Sequence, residues 1–282
     1  MTRFAAMSKV AEDIHLILCL TPYIGHSTFD RLMNECRMRG IQPEELLSMS
    51  ADRLREEFSL PLTSARALAN GAKEVRRRAH LLGQKIGDKP VRMVTRDSPL
   101  YPRSLEEFCE KPPGYLFFYG NPRVLSNPTF CVIASRGVTR EELDQVGRVV
   151  ESKTLEGKTL VTGSNTPAYR MAAVVPLRWG APRVVVVDRG LFEALGDDLE
   201  RELFPAARLW RYRFDPATDL VISFNRPDEG ASKGGAAHRD EIVVGLSQEV
   251  YAVRLRKGGN MERLAARAEE RGKALVRGAS LQ

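Results

Sequence analysis

Two patterns of apolar residues divide the 282-residue chain. Over residues 9–82, apolar positions recur every three or four residues, as they do along amphipathic helices. Ser27, Ser50 and Thr63 each precede an apolar segment and are candidate N-caps, because such side chains accept hydrogen bonds from the first helical amides. The pattern predicts a small all-helical domain over residues 1–88.

A change of composition marks the end of this helical region. The segment "LLGQKIGDKP" at residues 81–90 contains two glycines, a proline and charges of both signs. Because glycine and proline interrupt regular elements, the domain boundary is predicted between residues 88 and 89.

Short apolar segments then alternate with longer amphipathic ones. Strands are predicted at residues 115–120, 130–135, 158–163, 183–188, 208–214, 220–224, 249–255 and 273–276. Helices are predicted at residues 139–153, 167–179, 191–203, 239–246 and 260–271, the first with a capping box formed by Thr139 and Glu142. Strands and helices that alternate at this spacing form βαβ crossovers. Residues 89–282 are therefore predicted to form a Rossmann-like α/β domain, with a mostly parallel sheet and helices on both faces.

The composition excludes several classes of protein. No apolar segment is long enough to cross a bilayer, and Glu12, Asp13 and His15 interrupt what would otherwise resemble a signal peptide. The four cysteines are scattered without a C-x-x-C pair, which argues against a zinc site or a disulfide framework. These features predict a cytoplasmic protein. Its formal net charge of +7 is compatible with a polyanionic partner such as a nucleic acid.

Several segments occur in an order and spacing that resemble a known family. They are "SPLYPRSLEEFCEKPPGYLFFYGN" (98–121), "CVIASRGVT" (131–139), "LVTGSNTPAYRMAAVVPLRWGAPRVVVVDRGL" (160–191), and "DLVISFNRPDEG" followed by "HRDEIVVGLS" (219–247). Together they resemble the DNA-processing protein A (DprA/Smf) family. The earlier segment "LTPYIGHSTFDRLM" resembles a helix-hairpin-helix turn, at the place where that family carries such a domain.

The resemblance implies a Rossmann-like domain that binds single-stranded DNA and forms a homodimer. It also implies delivery of the strand to a RecA-type recombinase in natural transformation and recombination. Many members end in a winged helix, which this sequence, ending at Gln282, is expected to lack.

The chain departs from the family at one of its central motifs. In an ungapped alignment, the glycine, aspartate and histidine of the family's "GID..AH" fall on Pro167, Tyr169 and Ala173. These changes indicate a divergent member, in which the fold is a safer inference than the activity.

Two further motifs are partly kept. The family's "GSR" corresponds to Ala134, Ser135 and Arg136, so the serine and the arginine match. The first arginine of "RNR" matches Arg239, whereas the second falls on Glu241, which reverses the charge.

Ligands of an open parallel sheet bind beyond the carboxyl ends of the strands, where helix N-termini present N–H groups. Residues there with anion-binding side chains or flexible glycines form the predicted DNA-binding site. They are Ser135, Arg136, Gly163, Ser164, Asn165, Tyr169, Arg170, Arg239, Lys257, Gly258, Gly259 and Asn260. Further arginines that could line the same DNA-binding site, if it forms a groove, are Arg178, Arg183, Arg254 and Arg256.

Individual residues in this set keep an alternative interpretation. Arg136 can pair bidentately with a phosphate, or it can be a solvated surface arginine. Tyr169 is the best candidate for base stacking, which single-strand binding requires, or it can be a packing tyrosine. Trp179 and Trp210 are interpreted as core or interface residues.

Catalytic motifs are absent from the sequence: there is no P-loop, no G-x-S-x-G elbow and no H-E-x-x-H pair. Tyr169 and Ala173, at the family's aspartate and histidine positions, cannot transfer protons as those groups do. The protein is therefore expected to be no enzyme, with no catalytic residue, no cofactor and no metal.

Three hypotheses follow from these observations. The first is a DprA-like single-stranded DNA-binding protein that assists recombination. The second is a sensor of a nucleotide or nucleotide derivative, suggested by the loop at residues 163–165 and the turn at Gly258–Gly259. The third is a degenerate module that binds a protein partner, suggested by the altered motifs.

Overall fold

A computed structural model describes residues 13–278 of the chain. The part of the predicted helical domain that falls on residues 1–12 lies outside the described residues. None of the helices within the described range has the length and apolar character needed to cross a membrane.

Contacts between Cα atoms group the chain into two compact units. Of the described residues, the smaller unit contains 13–98 together with Pro113–Tyr115. The larger unit contains Pro99–Pro112 and residues 116–278. The boundary predicted between residues 88 and 89 stays a prediction.

The smaller unit is mainly helical, as the apolar spacing predicts. Its elements are α1 (Ile14–Leu20), α2 (His26–Arg39), α3 (Ala51–Phe58), α4 (Leu62–Leu68), α5 (Lys73–Ile86) and β1 (Val91–Thr95), with 3-10 turns at Pro43–Ser48 and Ala69–Gly71. The strand β1 was not predicted from the sequence.

One of the three predicted N-caps of this unit is confirmed. The hydroxyl of Ser50 accepts a hydrogen bond from the amide of Arg53 at 3.2 Å. Helix α2 begins directly after Gly25, and α4 begins directly after Pro61. Ser27 and Thr63 therefore lie inside their helices, and the prediction for these two residues is wrong.

The larger unit alternates strands and helices. Its elements are α6 (Ser104–Phe108), β2 (Tyr115–Gly120), β3 (Thr129–Ala134), α7 (Arg140–Leu155), β4 (Thr159–Thr162), α8 (Pro167–Arg178), β5 (Arg183–Val187), α9 (Leu191–Leu195), β6 (Leu220–Ser223), α10 (Gly235–Leu246), β7 (Glu249–Arg254), α11 (Asn260–Glu270) and β8 (Ala274–Arg277). Short 3-10 turns lie at Pro122–Ser126 and Pro205–Leu209. The capping box of Thr139 and Glu142 at the start of α7 is confirmed.

The strands of this unit form one sheet in the order β2-β6-β5-β4-β3-β7-β8. Strand β2 pairs with β6 in the antiparallel sense, and the other neighbours pair in parallel. The predicted Rossmann-like fold with a mostly parallel sheet is confirmed. Because parallel strands end at the same edge of a sheet, the loops after β3, β4, β5 and β7 meet there.

Two predicted elements differ in the structure. Helix α9 ends at Leu195, well before the predicted end at residue 203. Residues 208–214 contain the end of a 3-10 turn and a loop, so the strand predicted there is wrong. The apolar side chains that suggested this strand, such as Leu209 and Tyr212, are exposed rather than packed into a sheet.

The sheet is covered by helices on both faces. On one face, α7 and α8 pack against strand side chains that alternate along β3, namely Phe130, Val132 and Ala134. On the other face, α10 lies against β3, β4 and β5 and buries Ile242 and Val243 completely.

A buried ion-pair cluster fixes the start of β5. The Arg183 side chain has no exposed surface and pairs with Asp219 at 2.8 Å and with Glu202 at 2.7 Å. It also donates a hydrogen bond to the carbonyl oxygen of Ala173 at 2.7 Å. Arg183 is thus part of the fold, which corrects the sequence-based suggestion that it lines a DNA-binding groove.

We predict that Arg183→Met lowers the free energy of unfolding of the larger unit by about 3 to 5 kcal/mol, because two carboxylates would lose a buried partner. Chemical denaturation followed by the fluorescence of Trp179 and Trp210, both in this unit, measures the effect. The control is Arg213→Ala, which removes an exposed pair with Glu200 and should cost less than about 1 kcal/mol. Equal losses in the two variants would contradict the assigned role of Arg183.

Candidate nucleic-acid interface

A cavity of about 420 Å³ lies beyond the carboxyl ends of β3 and β7; it is called the first cavity below. Four segments surround it: the loop after β3, the start of α8, the start of α10 and the loop between β7 and α11. Its lining residues are Ala134, Ser135, Arg136, Val138, Thr166, Pro167, Ala168, Gly234, Ala236, Ala237, Arg239, Asp240, Arg256, Gly259, Asn260 and Met261.

The N-termini of three helices border this cavity. Helix α8 begins at Pro167, α10 at Gly235 and α11 at Asn260. Each helix N-terminus carries a partial positive charge and amides without helical partners, and both favour an anion. No side chain of the described residues caps α10 or α11, and Gly259 occupies the N-cap position of α11.

Helix α8 contributes few free amides to an anion. Pro167 has no N–H, as predicted for the first helical turn. The hydroxyl of Thr166 already accepts a hydrogen bond from the amide of Tyr169 at 3.1 Å. At α10 the amides of Gly235 and Ala237 already donate to the carbonyl oxygens of Ser232 and Gly234. The first cavity therefore offers an anion its main backbone donors at α11.

The cavity combines apolar walls with cations at its rim. Val138, Ala168 and Met261 contribute apolar surface. Arg136 and Arg256 are exposed, and neither side chain forms an ion pair within residues 13–278. An apolar cavity of this size with a few charged groups fits a nucleoside and its phosphate.

Ser135 joins the two loops that carry these arginines. Its amide donates to the carbonyl oxygen of Arg254 at 2.8 Å. Its hydroxyl accepts a hydrogen bond from the amide of Arg256 at 2.9 Å. Ser135, which matches the serine of the family motif, therefore connects the two loops at the rim of the first cavity through these two hydrogen bonds.

The buried side of the cavity contains a cluster of polar groups. Arg239 is 2% exposed and pairs with Asp188 at 2.9 Å and with Asp240 at 2.8 Å. The Tyr169 hydroxyl donates to Asp240 at 3.1 Å, and the Tyr169 ring centroid lies 5.4 Å from the Arg239 guanidinium. Asn260 also donates to Asp240, at 3.4 Å. These five residues are called the Arg239 cluster below.

Burial shifts the titration of this cluster. Desolvation raises the pKa of the Asp240 carboxyl, although Arg239, Tyr169 and Asn260 act in the opposite direction. Desolvation and the neighbouring Asp240 raise the pKa of the Tyr169 hydroxyl well above its usual value. At neutral pH the tyrosine is therefore protonated and acts as the hydrogen-bond donor.

Gly163, at the end of β4, has no side chain, and the Arg239 cluster occupies the space that a side chain would fill. A Cβ at this position would lie 2.6 Å from Cε2 of Tyr169 and 2.9 Å from Nε of Arg239. No side chain is tolerated at such distances without movement of its neighbours. The glycine after the strand therefore serves a close packing contact beside the cavity.

Two residues of the predicted site need correction. Tyr169 is 1% exposed, so its ring offers no face on which a base could stack. Arg239 has its guanidinium engaged by two carboxylates, so it is not available to a phosphate. Both residues shape the first cavity from the buried side, and the stacking and phosphate-binding roles expected of them are wrong.

Ser164 and Asn165 lie apart from the first cavity. Together with Arg189, Arg201 and Arg208 they line a second cavity of about 340 Å³, beyond the ends of β4 and β5. The loop between β4 and α8 therefore separates two cavities, with residues 164–165 on one side and residues 166–168 on the other. The sequence grouped these residues because it could not show which way the loop turns.

The remaining predicted residues are placed at the surface. Arg170 on α8 and Lys257 in the β7–α11 loop are exposed, and neither lines the first cavity. Gly258 has φ +70° in this turn, and its amide donates to the Glu262 carboxylate at 2.6 Å.

Part of the first cavity was missed by the sequence analysis. Gly234, Ala236 and Ala237 line the cavity at the start of α10. Small residues before a helix were the available signal, but the predicted helix began four residues too late, at residue 239. The sequence did not indicate that Met261 lines a cavity, because an apolar side chain at this position is typical of any core residue.

The fold is that of a Rossmann-like α/β protein, with a cavity at the carboxyl edge of the sheet. The family model described as DNA recombination-mediator protein A matches residues 92–276. The chain therefore belongs to the DNA recombination-mediator protein A family.

Two solved structures share this fold. DNA processing protein A from Streptococcus pneumoniae superposes with a TM-score of 0.68 at 18% identity, covering 94% of this chain and 86% of that chain. DNA processing protein A from Helicobacter pylori, whose structure concerns its single-stranded DNA binding mode, gives a TM-score of 0.52 at 16% identity and covers 67% and 81%. A comparison with curated protein sequences gave no significant match.

We predict that Gly163→Ala destabilises the larger unit by about 1 to 3 kcal/mol, because the added methyl group overpacks the Arg239 cluster. Thermal or chemical denaturation measures the loss. Gly230→Ala is the matched control, since a Cβ there meets no atom within 4 Å. If Gly163→Ala were as stable as the control, the close packing described for Gly163 would be incorrect.

Proposed function

We propose that the protein binds single-stranded DNA at the first cavity and acts in DNA processing without catalysing a reaction. The observation that carries the proposal is the convergence of three helix N-termini with Arg136 and Arg256 on one apolar cavity. Helix N-termini and arginines favour a phosphate. The apolar wall favours the base or sugar attached to it.

Family membership supports the same proposal. The Helicobacter pylori relative is described with a single-stranded DNA binding mode. By analogy, we extend the proposal to delivery of the strand to a RecA-type recombinase in recombination and natural transformation, in the cytoplasm, by a homodimer formed through the Rossmann-like domain.

The altered family motifs support a binding role over a catalytic one. The two residues that replace the family's aspartate and asparagine, Tyr169 and Asp240, are buried and bonded to each other. Arg136, Arg256 and the helix amides are then the groups available to an anion in the first cavity. Asp240 also lines the cavity, but it is engaged by Tyr169 and Arg239.

We predict that Arg136→Ala weakens binding to an oligonucleotide about tenfold, since a charge-assisted hydrogen bond to phosphate is lost. The magnitude of the slope of the logarithm of the association constant against the logarithm of salt concentration should fall by about 0.7, because binding releases one counterion fewer. Fluorescence anisotropy at several salt concentrations measures both quantities. Arg148→Ala, an exposed arginine on α7 outside the first cavity, is the matched control.

Two results would contradict the proposal. The first is a folded wild-type protein that fails to bind single strands at low salt. The second is an unchanged salt slope in Arg136→Ala. Arg239→Ala is unsuitable for this test, because a buried arginine with two carboxylate partners would perturb the fold.

A second candidate function is the binding of a free nucleotide, and the volume of the first cavity favours it. About 420 Å³ lies within the usual range of small-molecule sites. We predict that a nucleotide ligand raises the melting temperature of the wild-type protein but not that of Arg136→Ala, because only ligands that bind the folded state stabilise it. A thermal-shift screen with millimolar mononucleotides measures this.

No shift with any nucleotide would exclude this candidate. If single strands also failed to bind, the third hypothesis, a module that binds a protein partner, would replace both.

A further inference from the structure

The segment between α9 and β6 exposes an unusual group of large apolar side chains. Leu209 is 82% exposed, Trp210 44% and Tyr212 75%. Trp179, at the end of α8, is also exposed, and the neighbouring Arg178 guanidinium lies 5.3 Å from the Trp210 ring centroid. Exposed apolar groups that cluster in this way mark interaction sites. These residues are called the aromatic surface below.

A groove joins this surface to the loop beside the first cavity. The second cavity, which begins at Ser164 and Asn165, is followed by a hollow of about 280 Å³ that reaches Tyr212 and Arg213. The two hollows share Arg201, Glu202 and Arg208, so they are adjacent. Together they are called the groove below. The groove thus starts at the loop whose other side lines the first cavity.

The charges along the groove leave one arginine available. Arg213 pairs with Glu200 at 2.6 Å, and Arg201 donates to the carbonyl oxygens of Glu193 and Ala194. Arg208 is exposed and forms no ion pair or hydrogen bond with any residue in 13–278.

The acidic groups of the groove do not neutralise the positive charge of Arg208. Glu202 is buried and already neutralised by Arg183. Arg189 lies 3.6 Å from Asp188, which also pairs with Arg239. Glu193 and Asp198 line the groove as well, so the groove as a whole is mixed in charge and the surplus is local to Arg208.

We propose that a single strand held in the first cavity continues along this groove, with a phosphate on Arg208 and bases stacked on Tyr212 and Trp210. Single-strand binding sites combine a cation that follows the backbone with aromatic rings that stack on bases. In the segment "RLWRYR" at residues 208–213, arginines and aromatic rings alternate. The centre of a contact between two protein copies is, by contrast, depleted of charge.

The inference rests on the proposed function, and the tryptophans allow the two to be tested separately. The chain contains two tryptophans, Trp179 and Trp210, and both lie in the aromatic surface. Their fluorescence therefore reports directly on this surface. The anisotropy of a labelled oligo-dT strand of about 20 nucleotides, longer than the usual single-strand site, reports on binding anywhere in the protein.

We predict that the strand quenches the tryptophan fluorescence of the full chain, and that Trp210→Phe removes most of the quenching. Tyr212→Ala should weaken binding about tenfold, because one stacked base loses its partner, whereas Tyr212→Phe should bind like the wild type. Arg208→Ala should lower the salt slope by about 0.7. Arg148→Ala and Leu155→Ala, both exposed on α7, are the controls.

Other outcomes would overturn the inference. A strand that binds without quenching, and with equal affinity for Tyr212→Ala and Arg208→Ala, would leave the proposed function intact and refute the groove. A protein dimer in the absence of DNA that Tyr212→Ala dissociates would assign the aromatic surface to a second copy of the chain. Failure of the wild type to bind any strand would refute the proposed function, and the groove with it.

Discussion

The ion pairs of the buried Arg239 are the interaction on which the candidate site depends. Through Asp188 and Asp240 this arginine joins the end of β5 to α10, and through Tyr169 and Asn260 the same cluster reaches α8 and α11. A buried guanidinium is tolerated only when carboxylates surround it. The positions of the helix N-termini around the first cavity therefore follow from the need to satisfy one buried charge.

The cluster also explains the departures from the family motifs. Tyr169 and Asp240 replace residues of two different motifs, yet they form a hydrogen bond with each other at 3.1 Å. Glu241, which reverses the charge of the family's second arginine, forms an ion pair with Arg267 and accepts a hydrogen bond from the amide of Glu110. The side chains at these altered positions thus have hydrogen-bond or ion-pair partners within the fold.

The sequence predicted the layers of the fold well, because the apolar pattern records which side of each element is buried. The strand predicted at residues 208–214 failed for the same reason: Trp210, Tyr212 and Phe214 alternate as they would along a strand, but Trp210 and Tyr212 are exposed. Burial of Tyr169 and Arg239 could not be predicted, since their partner Asp240 is far from Tyr169 in the chain. The split of Ser164–Asn165 from Thr166–Ala168 depends on how a loop turns, and the side-chain pattern carries no information about this.

The loop between β4 and α8 has a further consequence because its two sides line different cavities. Asn165 has φ +70°, a left-handed backbone conformation that asparagine adopts more readily than most residues. A ligand that repositions this loop from one side changes the free energy of binding on the other side. Thermodynamic linkage requires that influence to be reciprocal. The peptide bond between Asn165 and Thr166 is therefore the shortest covalent connection through which the two cavities can be energetically coupled.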